Sequence, residues 1–269
     1  MRFTDFSPLQ RAVPELGVGA YLWGIPCLED NLAWGLSHPD GSFLLIDAPE
    51  ADPIRRFLDE HSYCLDRILI THGHRDHTAG LEGLSRGGTV EILANPRLGI
   101  PHARPLPGNG EPLTWKGLEI RIFDTSGHSD CDVSFYLPAL GLCFCGDTLF
   151  AGGCGRLFAG PPERMWQSLL RLRNLPDDTL LCFGHEYALE NYRFARQTFP
   201  EIPEVSEPLA RVLSDHEAGR IYAPVSVGEQ SRTNPMLMAD HPAIAIALGM
   251  SGQPPEDIFG EIRSRRSAF

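Results

Sequence analysis

The chain has 269 residues, 42% of them apolar, enough for one large core or for a main domain with an appendage. A formal charge of −12, with its basic residues scattered, excludes a nucleic-acid-binding face, and no apolar run approaches the roughly 18 residues of a membrane span. The seven cysteines are odd in number, form no Cys-x-x-Cys pair and mostly lie inside apolar runs, so they are expected to be buried thiols in a reducing compartment. With no charged and apolar leader pattern at the start, the expected location is cytoplasmic.

In chain order, short β-rich runs predict strands at residues 20–23, 32–36, 43–46, 67–70, 91–93, 118–123, 133–137, 142–145 and 180–183. Helical periodicity interrupts them at 52–61, 77–84 and 163–172. Many strands with few crossover helices predict two stacked sheets with helices outside. After Glu186 the pattern becomes helical, at 190–199, 207–218, 241–250 and 256–265, with Pro-rich breaks. The predicted division is a strand-rich unit over 1–185 and an all-helical unit over 186–269.

The densest chemistry lies at Thr71-His72-Gly73-His74-Arg75-Asp76-His77, directly after the apolar run 67–70. Three imidazoles and a carboxylate in six residues suit a borderline divalent ion such as zinc or iron. His72 and His74, at i and i+2, can face one side of an extended segment, while Asp76 and His77 project elsewhere as the chain turns into a helix. Two neighbouring ions fit this spacing better than one, and the cluster alone supplies too few ligands. Three further strands end in a glycine and a donor: Gly127-His128, Gly146-Asp147 and Gly184-His185. A carboxylate closing an apolar strand, as Asp147 does, is costly unless donors, water or a cation compensate.

These residues carry a resemblance. Thr-His-x-His-x-Asp-His at 71–77 resembles the signature of the metallo-β-lactamase superfamily. The run from Gly146-Asp147-Thr148 to Cys154-Gly155-Arg156, followed by Gly184-His185-Glu186-Tyr187, is similar to glyoxalase II, the hydroxyacylglutathione hydrolases. The similarity covers most of the chain, including Thr233-Asn234-Pro235 in the helical tail.

The resemblance implies an α/β fold, the metallo-β-lactamase αββα sandwich, with a C-terminal all-helical domain for substrate binding. It implies two divalent ions, zinc foremost, with iron or manganese as alternatives. His72, His74 and His128 would hold one, Asp76, His77 and His185 the other, and Asp147 would bridge them. The implied reaction is hydrolysis of S-D-lactoylglutathione to D-lactate and glutathione by a hydroxide shared between the ions, with no separate catalytic residue. Arg156, Phe158, Tyr187, Arg263 and Arg266 are the implied contacts to this small-molecule thioester, and no protein partner is implied.

Several positions depart from the family pattern. Ser126 and Ser129-Asp130-Cys131 flank His128, Phe158 stands where some members have tyrosine, Met238 replaces a frequent arginine, and Ser267 a usual aspartate. Of the 23 basic residues only Lys116 is lysine, so any carboxylate clamp here is arginine, with its bidentate fork. Arg263 and Arg266, one helical turn apart, are expected on a common face, with Arg265 pointing elsewhere. The competing readings are a single-iron glutathione-persulfide dioxygenase and a non-catalytic metal-binding module. The Gly-Cys-Gly-Arg segment opposes the first, the full ligand set the second.

Overall fold

A computed structural model of the chain describes residue 3 and residues 6–85, 88–108 and 111–269. Strands β1 (Leu9–Ala12), β2 (Tyr21–Cys27), β3 (Asn31–Ser37) and β4 (Ser42–Ile46) form an antiparallel meander. Helix α1 (Ala51–His61) then crosses over to β5 (Cys64–Leu69), parallel to β4. The helical turns α2 (Arg75–Thr78) and α3 (Leu81–Leu84) lead to β6 (Glu91–Ala94) and β7 (Arg104–Pro105), completing a seven-stranded sheet in sequence order. Alternate residues of β3 and β4 face opposite ways. Leu32, Trp34, Leu36, Leu44 and Ile46 enter the core between the sheets, whereas Ala33, Phe43 and Leu45 share a second cluster with Ile54, Phe57 and Leu58 of α1.

The second half continues through β8 (Leu113–Trp115), β9 (Leu118–Asp124), β10 (Val133–Leu137) and β11 (Leu142–Gly146). A hairpin of β12 (Leu149–Phe150) and β13 (Gly153–Cys154) follows, then α4 (Pro162–Arg173) and β14 (Leu180–Phe183). Helices α5 (Ala188–Thr198) and α6 (Leu209–Glu217), strand β15 (Val225–Ser226), and helices α7 (Val227–Thr233), α8 (Pro242–Ala247) and α9 (Pro255–Ala268) complete the chain. The six-stranded sheet runs β15-β14-β11-β10-β9-β8, so the predominantly helical C-terminal part contributes an edge strand. The architecture is the αββα sandwich with a C-terminal helical region. Among the described residues no helix is long and apolar enough to cross a membrane.

Two parallel pairs, β4 with β5 and β11 with β14, bring four strand C-termini to one edge. There Asp47, His72, Asp147 and His185 leave the sheets. Bonds between the sheets fix this edge: Trp34 Nε1 donates to the Phe183 carbonyl at 2.7 Å, Leu32 N to Gly184 at 2.8 Å, and Val133 N to Thr71 at 2.9 Å.

The single helix expected over 77–84 is two turns broken at Gly80. The Gly80 amide donates to the Ala48 carbonyl at 2.8 Å, and a Cβ there would lie 2.9 Å from Ala51 N. The chain is drawn against the start of α1 at that point, which a continuous helix would not permit. Helix α7 was not expected, although Ser226 caps it by accepting from Glu229 N. That Ser-x-x-Glu spacing is a capping-box signal.

Candidate metal centre

All seven expected ligands converge at the strand-end edge. His72 Nε2 lies 3.1 Å and His128 Nε2 2.9 Å from Nδ1 of His74. In a second group, His185 Nε2 is 3.3 Å from Asp76 Oδ2 and 3.4 Å from His77 Nε2. Asp147 stands between the groups. Its Oδ2 lies 3.5 Å from His128 Nε2, 4.0 Å from His72 Nε2 and 3.3 Å from His185 Nε2, and its Oδ1 3.2 Å from His77 Nε2. Ligand atoms about 2.0–2.2 Å from a tetrahedral ion are separated by about 3.4 Å, close to these spacings.

Outer hydrogen bonds orient the donors. His77 Nδ1 donates to Asp47 Oδ2 at 2.8 Å, His185 Nδ1 to Asp30 Oδ1 at 2.7 Å, and His128 Nδ1 to the Arg156 carbonyl at 3.0 Å. The Thr71 hydroxyl donates to Asp47 Oδ2 at 2.7 Å and so accepts from His72 Nδ1 at 3.1 Å. In each of these four residues the Nδ1 proton is spoken for, leaving the Nε2 lone pair aimed inward. Such partners fix tautomer and ring orientation in metal-binding histidines.

The electrostatics call for a cation. Asp147 Oδ1 is buried without a hydrogen-bond partner. Burial opposes charge on His77, yet Asp147 and Asp47 outweigh it and raise the imidazole to about 10. His185 is raised in the same way by Asp147, Asp30 and Asp76 against its burial. Asp147 itself, despite burial, is held well below the carboxylate range by His77 and His185. Burial drives His72 the other way, towards its neutral, ligating form. Deprotonated imidazoles and carboxylates bind a divalent ion in exchange for such protons. The cluster is a divalent-metal site.

It opens into a cavity of about 750 Å³. Arg156, Phe158, Tyr187, Arg263 and Arg266 all line this cavity. Phe158, 64% exposed, stands with its ring centroid 5.8 Å from that of His74 and 5.3 Å from that of His128. Arg263 is buried, donating to the Cys154 carbonyl at 3.2 Å and to Ser267 Oγ at 2.9 Å. Arg266 Nε donates to Asn191 Oδ1 at 2.9 Å, whereas Arg265 lies outside, paired with Glu261 at 2.8 Å. Met238 is buried in the core, away from the lining.

The family model for the metallo-beta-lactamase superfamily matches residues 39–185, and that for the hydroxyacylglutathione hydrolase C-terminus matches 186–269. A hydroxyacylglutathione hydrolase of Ruegeria pomeroyi is 38% identical over 249 residues, which span 91% of this chain and 97% of that one. One from Rhizobium meliloti is 40% identical over 248 residues, spanning 90% and 96%. The chain belongs to the hydroxyacylglutathione hydrolase family. Among solved structures, ETHE1 from Myxococcus xanthus aligns over 98% of both chains with a TM-score of 0.58 at 21% identity, a likeness of fold.

In this hydroxyacylglutathione hydrolase family member, sequence reasoning missed the outer carboxylates. Asp47 carried a usable signal, because it ends the apolar strand β4 as Asp147 follows β11. Asp30 and Asn31 had only a polar pair before an apolar strand to mark them. Asn31 Nδ2 donates to the Asp76 carbonyl at 3.0 Å, steadying that candidate ligand from the first residue of β3. Asn191 gave no signal, since its role of receiving Arg266 and donating to Ala151 depends on three distant segments.

Proposed function

We propose that the chain hydrolyses S-D-lactoylglutathione to D-lactate and glutathione, using two divalent ions, zinc foremost. One ion is assigned to His72, His74 and His128, the other to Asp76, His77 and His185, with Asp147 shared. The observation that carries this reading is the position of Asp147 Oδ2, within 4.0 Å of Nε2 atoms from both groups, on a cavity that also holds three arginines. Ions bound there supply Lewis-acid polarisation of a thioester carbonyl and water acidified towards neutrality.

The chain's residues do the rest. Asp47, Asp30, Thr71 and the Arg156 carbonyl hold four imidazoles in one tautomer, so the site needs little rearrangement to bind. Arg156 and Arg266 meet the carboxylates of the glutathione half, giving a basic patch to a chain of net charge −12. Tyr187, its phenol pushed up to about 12 by burial, stays neutral and offers its ring and hydroxyl to the ligand. A thiolate leaves without help, so no protein acid is required. Hydroxyacylglutathione hydrolase relatives over nine-tenths of the chain favour this reading over a persulfide dioxygenase.

A two-unit division at 185/186 and a cytoplasmic location belong to the same proposal. Seven free cysteines, six of them buried, suit a reducing compartment. The test is thiol release from S-D-lactoylglutathione by zinc-loaded protein and its loss in Asp147→Ala. Near-normal turnover in that variant overturns the role of Asp147.

A further inference from the structure

The β12–β13 hairpin has two residues in each strand, too few to hold its own shape. Side chains of the C-terminal part hold it instead. Asn234, just past α7, donates from Nδ2 to the carbonyls of Phe150 at 3.1 Å and Gly153 at 3.0 Å. Gln230 of α7 accepts from Gly152 N at 2.9 Å, Asn191 of α5 donates to the Ala151 carbonyl at 3.0 Å, and Arg263 of α9 donates to that of Cys154 at 3.2 Å. Five consecutive residues, 150–154, are thus held through their backbone by four buried side chains. The amides brace one another: Asn234 Nδ2 also donates to Gln230 Oε1 at 3.2 Å, and Gln230 Nε2 to the Tyr192 hydroxyl at 3.0 Å.

The chain leaving this hairpin is what grips His128. The Arg156 carbonyl accepts from its Nδ1 at 3.0 Å, and Phe158 N donates to its backbone carbonyl at 3.3 Å. A Cβ on Gly155 would lie 2.8 Å from His128 Nδ1, so the segment runs directly against the ring. The other group is oriented from elsewhere, His77 by Asp47 and His185 by Asp30. Asp147 is steadied by its neighbour Thr148, whose hydroxyl donates to the Thr125 carbonyl at 3.1 Å. A displaced hairpin therefore disturbs His128 before it disturbs the second group.

We propose that Asn191, Gln230 and Asn234 are positioning residues for the ion assigned to His72, His74 and His128, acting through the hairpin and the Arg156 carbonyl. The inference rests on the two-ion reading above. It makes the C-terminal part a support of the metal centre as well as a wall of the ligand cavity. A partner bonded directly to a metal-binding histidine is worth about 10–100-fold in metal affinity, and these amides act through one such partner.

The test is stepwise removal of zinc by a chelator from zinc-loaded protein, with the two release steps assigned through His74→Ala and Asp76→Ala. Gln230→Met keeps the side-chain volume and removes the acceptor for Gly152 N, whereas Gln230→Glu keeps that acceptor. In Gln230→Met the ion of the His128 group should bind about tenfold more weakly and the other should stay within about twofold. Gln230→Glu should keep both affinities within about twofold. Weakening of the second ion to the same extent or more, no weakening of either, or Gln230→Glu as weak as Gln230→Met overturns the positioning role. Should Gln230→Met fail to fold, Asn191→Asp decides by the same criterion, since it keeps the oxygen that accepts from Arg266 and loses the donor to Ala151. One ion per chain at saturation in the unaltered protein overturns the two-ion reading, and the proposal with it.

Discussion

The ring of Tyr187 stacks on that of His185, with centroids 4.8 Å apart and planes inclined by 8°. Tyr187, which lines the cavity, and His185, a proposed metal ligand, are thereby one packed unit at the start of α5. Tyr187→Phe should preserve the stack, leaving metal content and kcat unchanged while raising KM modestly. Tyr187→Ala removes about 1 kcal/mol of ring contact and should loosen the metal as well. Metal retained against a chelator, measured beside the kinetics, separates the two; equal retention in both variants would show that the stack does not steady His185.

The two tail arginines should behave differently. Arg266, half-buried, makes one side-chain bond to Asn191 and faces the cavity, so Arg266→Ala should raise KM about tenfold with little change in kcat. Arg263 is buried and satisfies the Cys154 carbonyl. Arg263→Ala should therefore cost about 1–3 kcal/mol of stability by leaving that carbonyl unpaired, read by urea unfolding. A large KM effect without loss of stability would make Arg263 a ligand contact only.

Gly184 precedes His185 where the backbone passes under Asp147. A Cβ there would meet Asp147 Oδ1 and lie 2.7 Å from His77 Cε1. Gly184→Ala should displace ligands from both groups and lower metal content and turnover together. Full metal content in that variant would mean the site tolerates movement that its spacing does not suggest.

Much of this was legible beforehand because strand periodicity and metal chemistry are local signals. The nine expected strands correspond to β2–β6, β9–β11 and β14, and the candidate ligands Asp147 and His185 stand just past the ends of β11 and β14 as expected. What escaped was fixed by tertiary contact. β1 and β7 are exposed edge strands without alternation, and β12, β13 and β15 are two residues each, too short for any period. Asp30 and Asn191 matter through partners 155 and 75 residues away, which no window of sequence contains.

Arg173 on α4 ties the catalytic sandwich to the C-terminal part through Asp240, with contacts of 2.8 and 2.7 Å, and through the Leu237 carbonyl at 2.7 Å. The hydrogen bonds from Arg173 hold the Asp240 carboxyl below its ordinary value. A depressed carboxyl stabilises above the unfolded value of about 4 and loses that contribution as pH falls through the folded value. Asp240→Asn should cost about 1 kcal/mol at pH 7, solvent screening included, and the deficit should shrink as pH falls below about 4. A deficit independent of pH would assign the effect to packing.

A dinuclear thioester hydrolase is tested most directly by metal content and product measured on one sample. Protein reconstituted with zinc should bind about two ions per chain and release glutathione and D-lactate in equal amounts from S-D-lactoylglutathione. One ion at saturation, with no thiol released and oxygen consumed on glutathione persulfide, would contradict it.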